Sequence, residues 1–168
     1  MNRLEAIQLI INNLIGDELI IHANGAISRE SFFCKDRKSN FYLLGSMGLA
    51  SSVGLGIAIN QPDKKIIILD GDGNILMGFG NLALIGAIKP KNLIHIILDN
   101  GVYGTTGNQP SISPQLELSK IALASGYSKT YSIKTSKEVM NIFPNSLNQP
   151  GPQFFHLIIS KDVTKKCP

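Results

Sequence analysis

The chain has 168 residues, of which 43% are hydrophobic and 17% charged, values that fit a single folded domain over 1–168 and exclude a disordered chain. Its net charge of +4 is scattered: the densest basic groups, Lys35/Arg37/Lys38 and Lys161/Lys165/Lys166, have no interleaved aromatics, which argues against nucleic-acid binding and suits an anionic small ligand. No apolar stretch reaches the ~18 residues of a membrane span, and the opening segment, interrupted by Glu5, Gln8, Asn12 and Asn13, lacks the apolar core of a signal peptide.

Cys34 and Cys167 show no metal-like spacing, so thiols in a reducing, cytoplasmic compartment are expected. The low charged fraction also predicts that a partner covers part of the surface. In residues 2–15, Leu4, Ile7, Ile11 and Leu14 share one helical face, and Gly16 stops the helix. Residues 19–23 read as a buried strand followed by a turn at Gly25. Residues 31–40 are polar and charged and read as a loop, and 41–44 form a short strand ending at Gly45.

Residues 46–60 are rich in small side chains, and the glycine penalty of about 1 kcal/mol relative to Ala argues against a helix there. Gly48, Ser52 and Gly56 nevertheless fall on one stripe, which predicts a buried helix packed closely against the sheet or a second chain. Residues 65–70 read as a strand whose apolar run suits a parallel sheet covered on both faces. Residues 74–88 read as a helix with Leu76, Phe79, Leu82, Ala83 and Gly86 inward, 93–98 as a further clear strand, and 101–114 as a polar loop. Helices at 115–125 and 136–146 flank a short strand at 129–133, and 154–159 form the last strand. Strands alternating with helices predict an α/β fold with a doubly wound, mostly parallel sheet and helices on both faces.

Between Gly73 and Asp99 lie 25 residues, enough for one helix and one strand. Gly71-Asp72-Gly73 and Asp99-Asn100-Gly101 therefore come side by side at the carboxyl ends of neighbouring strands, where such sheets bind ligands. Asn24-Gly25-Ala26 and Gly45-Ser46-Met47-Gly48 are expected at the same end. Glycines around Asp72 expose backbone N–H groups, and the following helix points its N-terminus at an anion. Magnesium takes one or two carboxylates and completes its shell with phosphate oxygens. Asp72, the Asn100 amide oxygen and the Val102 carbonyl suit that protein share. Gly-Asp-Gly and Asn-Gly are each common turns; their combination at this interval carries the reading.

Gly71-Asp72-Gly73 with Asn100 resembles the thiamin-diphosphate binding motif, and the whole chain is similar to the diphosphate-binding (PP-type) domain of the thiamin-diphosphate-dependent decarboxylase family. FYLLGSMGLASSVGLG (41–56), GDGN (71–74) and DNGVYGTTGNQPS (99–111) look like the decarboxylases of sulfopyruvate and phosphonopyruvate, above all the separately encoded β subunits of the former. The likeness runs over 2–168. It implies that Asp72, Asn100 and the Val102 carbonyl bind Mg2+. It also implies that Gly73, Asn74 and Ile75, with Gly25, Ala26 and Ile27, face the diphosphate, and that Gly71 and Tyr103 add cofactor contacts. Met47 falls on the wedge between the two coenzyme rings, and the Gly45 carbonyl on the acceptor for the aminopyrimidine. Asp99 stands where most family members have Asn, and residues 102–107 fit the sulfopyruvate kind better.

In the family, the Glu that activates the coenzyme lies on a separate pyrimidine-binding domain. Glu5, Glu18, Glu30, Glu117 and Glu138 match no such context, so no catalytic residue is assigned here. A pyrimidine-binding α subunit is expected to supply it in a hetero-oligomer. The implied function is the β subunit of a decarboxylase converting sulfopyruvate to sulfoacetaldehyde and CO2, with Thr105, Thr106 and Gln109 as substrate-side candidates. Phosphonopyruvate decarboxylase or a carboligating relative is the alternative. A non-catalytic nucleotide-binding module is a further reading, against which Met47 and the small-residue stretch count. His22, His95 and His156 are expected as satisfied core histidines, and Cys34 as an incidental thiol.

Overall fold

The computed structural model describes residues 1–161; Lys165, Lys166, Cys167 and Pro168, used in the sequence reading, lie outside them. Asn2 caps helix α1 (Arg3–Asn12) in a reciprocal capping box with Glu5. There follow β1 (Leu19–His22), α2 (Ala26–Cys34), β2 (Asn40–Tyr42), α3 (Ala50–Asn60) and β3 (Ile66–Gly71). Then come α4 (Asp72–Met77), α5 (Asn81–Ile88), β4 (Leu93–Asp99), and a small hairpin of β5 (Val102–Tyr103) and β6 (Gln109–Pro110). A 3-10 turn at Ser113–Gln115 precedes α6 (Leu118–Ser125), β7 (Lys129–Ile133), α7 (Ser136–Ser146) and β8 (Gln153–Ile158).

Six strands form one sheet in the order β2-β1-β3-β4-β8-β7, every pair parallel. β4 is buried along its whole length and β3 nearly so, which is why both read as unbroken apolar runs. Helices α1, α2 and α7 pack on one another, and α3, α5 and α6 form a second set. This is the expected doubly wound α/β fold. The chain leaves β1 for β2 at the edge, then returns past β1 to β3. The sheet order reverses there, so a crevice opens beyond the carboxyl ends of β1 and β3. No helix among the described residues is long and apolar enough to cross a membrane.

Several local expectations are corrected. Helix α2 takes in residues 26–34, part of which reads as a loop, because its amphipathicity is inverted. Ser28, Glu30 and Ser31 are buried while Phe32 and Phe33 are exposed. The 74–88 helix is broken at residues 78–80, and Ala83 points outward. A Cβ on Gly78 would lie 2.2 Å from the Gly48 carbonyl oxygen, so the break is where two backbones cross. Helix α3 begins at Ala50, not 46, and buries Ser51 and Gly54 toward the sheet, whereas Gly56 of the expected stripe is exposed. Residues 101–114 contain the β5–β6 hairpin rather than an unstructured loop.

Candidate functional site

The crevice at the sheet reversal is a pocket bordered by three strand ends. Asn24, Ala26 and Ile27 come from the segment after β1, Gly71, Asp72, Gly73 and Asn74 from the end of β3, and Asn100, Val102 and Tyr103 from beyond β4. Met47 and Thr105 complete its wall, and Leu98, Gly104 and Arg3 also line it. Asn74 ties the loops together: its Oδ1 accepts from the Gly48 N–H at 2.6 Å and its Nδ2 donates to Asn24 Oδ1 at 2.8 Å. A Cβ on Gly73 would fall 2.6 Å from the Tyr103 ring and 3.1 Å from Met47 Cε. Only glycine lets those two side chains close over a turn that presents backbone N–H groups.

Asp72 is buried, and one of its oxygens is engaged: Ser111 Oγ donates to Oδ2 at 2.7 Å, and Ser113 Oγ lies 3.2 Å from the same atom. Burial pushes the Asp72 carboxyl above the ordinary carboxylate range, the Ser111 hydrogen bond opposes the rise, and nearby Asp99 adds to it. Asp99 is turned the other way. Its Oδ1 accepts from the Gly101 N–H at 2.9 Å and Ser113 Oγ at 2.7 Å, and its Oδ2 lies 2.7 Å from His156 Nε2. Burial alone would raise its pKa, but the His156 and Ser113 hydrogen bonds outweigh this and hold it below the ordinary value.

Asn100 Oδ1 accepts from the Val102 N–H at 3.2 Å, and the Val102 carbonyl accepts from the Gly104 N–H at 3.1 Å. Each oxygen keeps a second lone pair for a cation. Among the described residues no group of three or more His, Cys, Asp or Glu side chains is arranged to hold a metal ion. The donor set of one carboxylate, one amide and one carbonyl therefore fits a hard cation only if an anionic ligand brings further oxygens, as a diphosphate does. The cavity measures about 80 Å³, against roughly 300–1,000 Å³ for complete small-molecule sites.

Of the sequence candidates, Ala26, Ile27, Met47, Gly71, Asp72, Gly73, Asn74, Asn100, Val102, Tyr103 and Thr105 line one pocket. Gly25 lies just behind, against Thr105. Ile75 is buried in the core and does not line it. Gly45 is exposed outside it, next to Leu44, which is 95% exposed. Thr106 and Gln109 are exposed and hydrogen-bond each other at 2.7 Å, away from the pocket.

Asn24, expected at this end of the sheet without a role of its own, lines the pocket and accepts from Asn74. The sequence reading gave no role to Ser111, the last residue of the 99–111 segment, to Ser113 beyond it, or to Arg3, which reaches in from α1 and is paired with Glu30 of α2 at 2.7 Å. His95 is a satisfied core histidine, held between Asp70 and Tyr127 at 3.1 Å each. His156 instead joins the site through Asp99. His22 is buried against Tyr42, with ring centroids 4.7 Å apart, but neither ring nitrogen has a hydrogen-bond partner among the described residues.

Comparison with known proteins adds a lineage to this geometry. The family described as thiamine pyrophosphate enzyme, C-terminal TPP binding domain, matches residues 27–157. The sulfopyruvate decarboxylase subunit beta of Methanocaldococcus jannaschii is 42% identical, over 98% of this chain and 87% of that protein. A phosphonopyruvate decarboxylase of Streptomyces viridochromogenes is 36% identical over 94% of this chain, which spans only 39% of that protein's length. Among solved structures, the thiamine diphosphate-dependent 4-hydroxybenzoylformate decarboxylase of Rhodococcus jostii superposes with a TM-score of 0.81. That match has 18% identity and covers 98% of this chain and 33% of that one, a likeness of fold. The chain belongs to the thiamine pyrophosphate enzyme family and has the fold of that family's C-terminal TPP-binding domain.

Proposed function

We propose that this chain is the β subunit of a thiamin-diphosphate-dependent decarboxylase that converts sulfopyruvate to sulfoacetaldehyde and CO2. The observation that carries the reading is the convergence of Asp72, Asn100 and Val102 on one glycine-floored pocket at the sheet reversal. Asp72, Asn100 Oδ1 and the Val102 carbonyl would hold Mg2+. The turn at Gly73 and Asn74 and the segment at Gly25 to Ile27 would receive the diphosphate. Met47 stands over that turn, at the position of the wedge under the bent coenzyme. When bound, the coenzyme supplies the carbon nucleophile and the electron sink of the decarboxylation.

This chain's own part is to bind the coenzyme's charged end and fix its position. The pocket contains no Glu, since Glu30 is turned back onto Arg3. A pyrimidine-binding α subunit brings the activating Glu and the remaining wall. The exposed Leu44 and Phe41 beside Gly45 support a partner over that segment, where the Gly45 carbonyl would meet the aminopyrimidine. Thr105 faces the pocket as a substrate-side group. The setting is cytoplasmic.

The relatives favour sulfopyruvate over phosphonopyruvate, because identity is 42% to a sulfopyruvate decarboxylase β subunit and 36% to a phosphonopyruvate decarboxylase. The test is CO2 release by the co-purified α and β chains with thiamin diphosphate and Mg2+. Sulfopyruvate is expected to be turned over in preference to phosphonopyruvate. The reverse preference would overturn the substrate assignment.

A further inference from the structure

Asp72 is restrained from one side by a chain of hydrogen bonds that ends at His156, which does not line the pocket. Ser111 Oγ bonds Asp72 Oδ2 at 2.7 Å, the Ser111 and Ser113 hydroxyls lie 2.7 Å apart, and Ser113 Oγ bonds Asp99 Oδ1 at 2.7 Å. His156 Nε2 then meets Asp99 Oδ2 at 2.7 Å. Backbone bonds brace the chain: the Ser113 N–H donates to Ser111 Oγ at 3.1 Å, and the Ser111 N–H to the Gly101 carbonyl at 3.0 Å. Ser113 is fully buried, and Ser111, Asp99 and His156 are nearly so. His156 lines a second cleft with Leu116, Ile158 and Lys161, which shares Asn100 with the pocket.

A carboxylate on a short side chain can rotate about its terminal torsion, which is broad and roughly two-fold. The Ser111 hydroxyl on Oδ2 restrains that rotation; Ser113 gives its single hydroxyl proton to the nearer Asp99 Oδ1, and its N–H holds Ser111 Oγ in place. Each serine is held in turn by an atom that does not touch the pocket. Asp99 supplies the anchor. Its second oxygen needs a donor, and His156 is that donor.

We propose that Ser111, Ser113, Asp99 and His156 are positioning residues for the metal-binding carboxylate: a hydrogen-bonded strut across the β4 tip that fixes Asp72 in the orientation that receives the divalent cation. The inference rests on Asp72 being a metal ligand. It adds that the affinity of the site for metal is set partly from that second cleft.

The test measures Mn2+ binding, by electron paramagnetic resonance with thiamin diphosphate present, to the full chain co-purified with its partner subunit. Thermal unfolding of every variant is recorded in parallel, and binding is read well below each melting temperature. Loss of one hydrogen bond to a charged group corresponds to about tenfold in affinity. Ser111→Ala, Ser113→Ala and His156→Phe are each expected to weaken Mn2+ binding by about that factor while remaining folded. His156→Gln, which keeps a side-chain N–H donor, is expected to retain most of the affinity.

Wild-type Mn2+ affinity in Ser111→Ala and His156→Phe, alongside loss of binding in Asp72→Ala, would overturn the strut and leave the metal site standing. Equal losses in His156→Gln and His156→Phe would also overturn it, because the hydrogen bond would then not matter. Wild-type affinity in Asp72→Ala would instead remove the metal reading on which the strut depends. Should Ser113→Ala fail to fold, Ser111→Ala and the two His156 variants decide.

Discussion

A buried imidazole with neither nitrogen hydrogen-bonded is tolerated in a fold only while it is neutral. His22 is such a group: burial pushes its pKa from 6.5 down to about 4. The sign of the effect follows from proton counting. Below 6.5 the unfolded imidazole takes up a proton that the folded one refuses until about 4, so acidification favours unfolding across that window. The folded chain should lose about 3 kcal/mol between those limits from this residue alone. Urea unfolding of His22→Leu should show a pH dependence shallower by that amount. An unchanged slope would mean that the imidazole is solvated or partnered in the fold. Asp99 has the opposite history, because its donors hold it ionised and its stabilising contribution persists above the ordinary carboxylate range, fading only as pH falls through its lowered pKa.

Among the elements, the break between α4 and α5 does the most to shape the pocket. The Gly48 carbonyl passes so close to Gly78 that any side chain there would strike it, and Asn81 Nδ2 bonds Ser51 Oγ at 2.9 Å across the same crossing. Gly78→Ala should therefore cost about 1–3 kcal/mol in overpacking, measured by denaturant unfolding, and should loosen the Asn74–Gly48 bond that holds the pocket's loops together. Wild-type stability in that variant would show that the crossing relaxes freely.

This crossing was hidden in the sequence, where Leu76, Phe79 and Leu82 continue a helical pattern through the glycines. Local periodicity does not register a backbone approaching from 30 residues earlier. β3 and β4 were legible because both faces are covered and most positions before their carboxyl ends are Ile or Leu, His95 excepted. Their Gly-Asp-Gly and Asp-Asn-Gly ends were legible because the chain must turn there with its polar groups exposed. Helix α2 was not legible: polar Ser28, Glu30 and Ser31 face inward onto the β1 end and Arg3, while its phenylalanines face out. Ser111 and Ser113 gain their roles from a long-range fold-back onto Asp72, which no spacing within residues 101–114 announces.

At the scale of the whole molecule, one side of the sheet edge carries apolar groups in water. Phe32 is 59%, Phe33 54% and Leu44 95% exposed, and they line one cleft with Tyr42 where α2 meets β2. A contiguous apolar patch of this kind marks an interaction surface. It lies beside Gly45, at the segment assigned above to the pyrimidine end of the coenzyme. Leu44→Asp should therefore reduce co-purification of the α subunit while leaving the melting temperature of the isolated chain unchanged, because Leu44 has almost no contacts to lose. Undiminished capture of the partner would move the interface elsewhere.

The central claim is that Asp72 holds the cation through which this chain grips a diphosphate. Calorimetric titration of thiamin diphosphate into the wild-type and Asp72→Ala proteins, each complexed with the partner and measured with Mg2+ or with chelator, tests it most directly. Binding is expected for the wild type with Mg2+ and to be lost both on chelation and in Asp72→Ala. Coenzyme binding by Asp72→Ala as tight as that of the wild type would contradict the account.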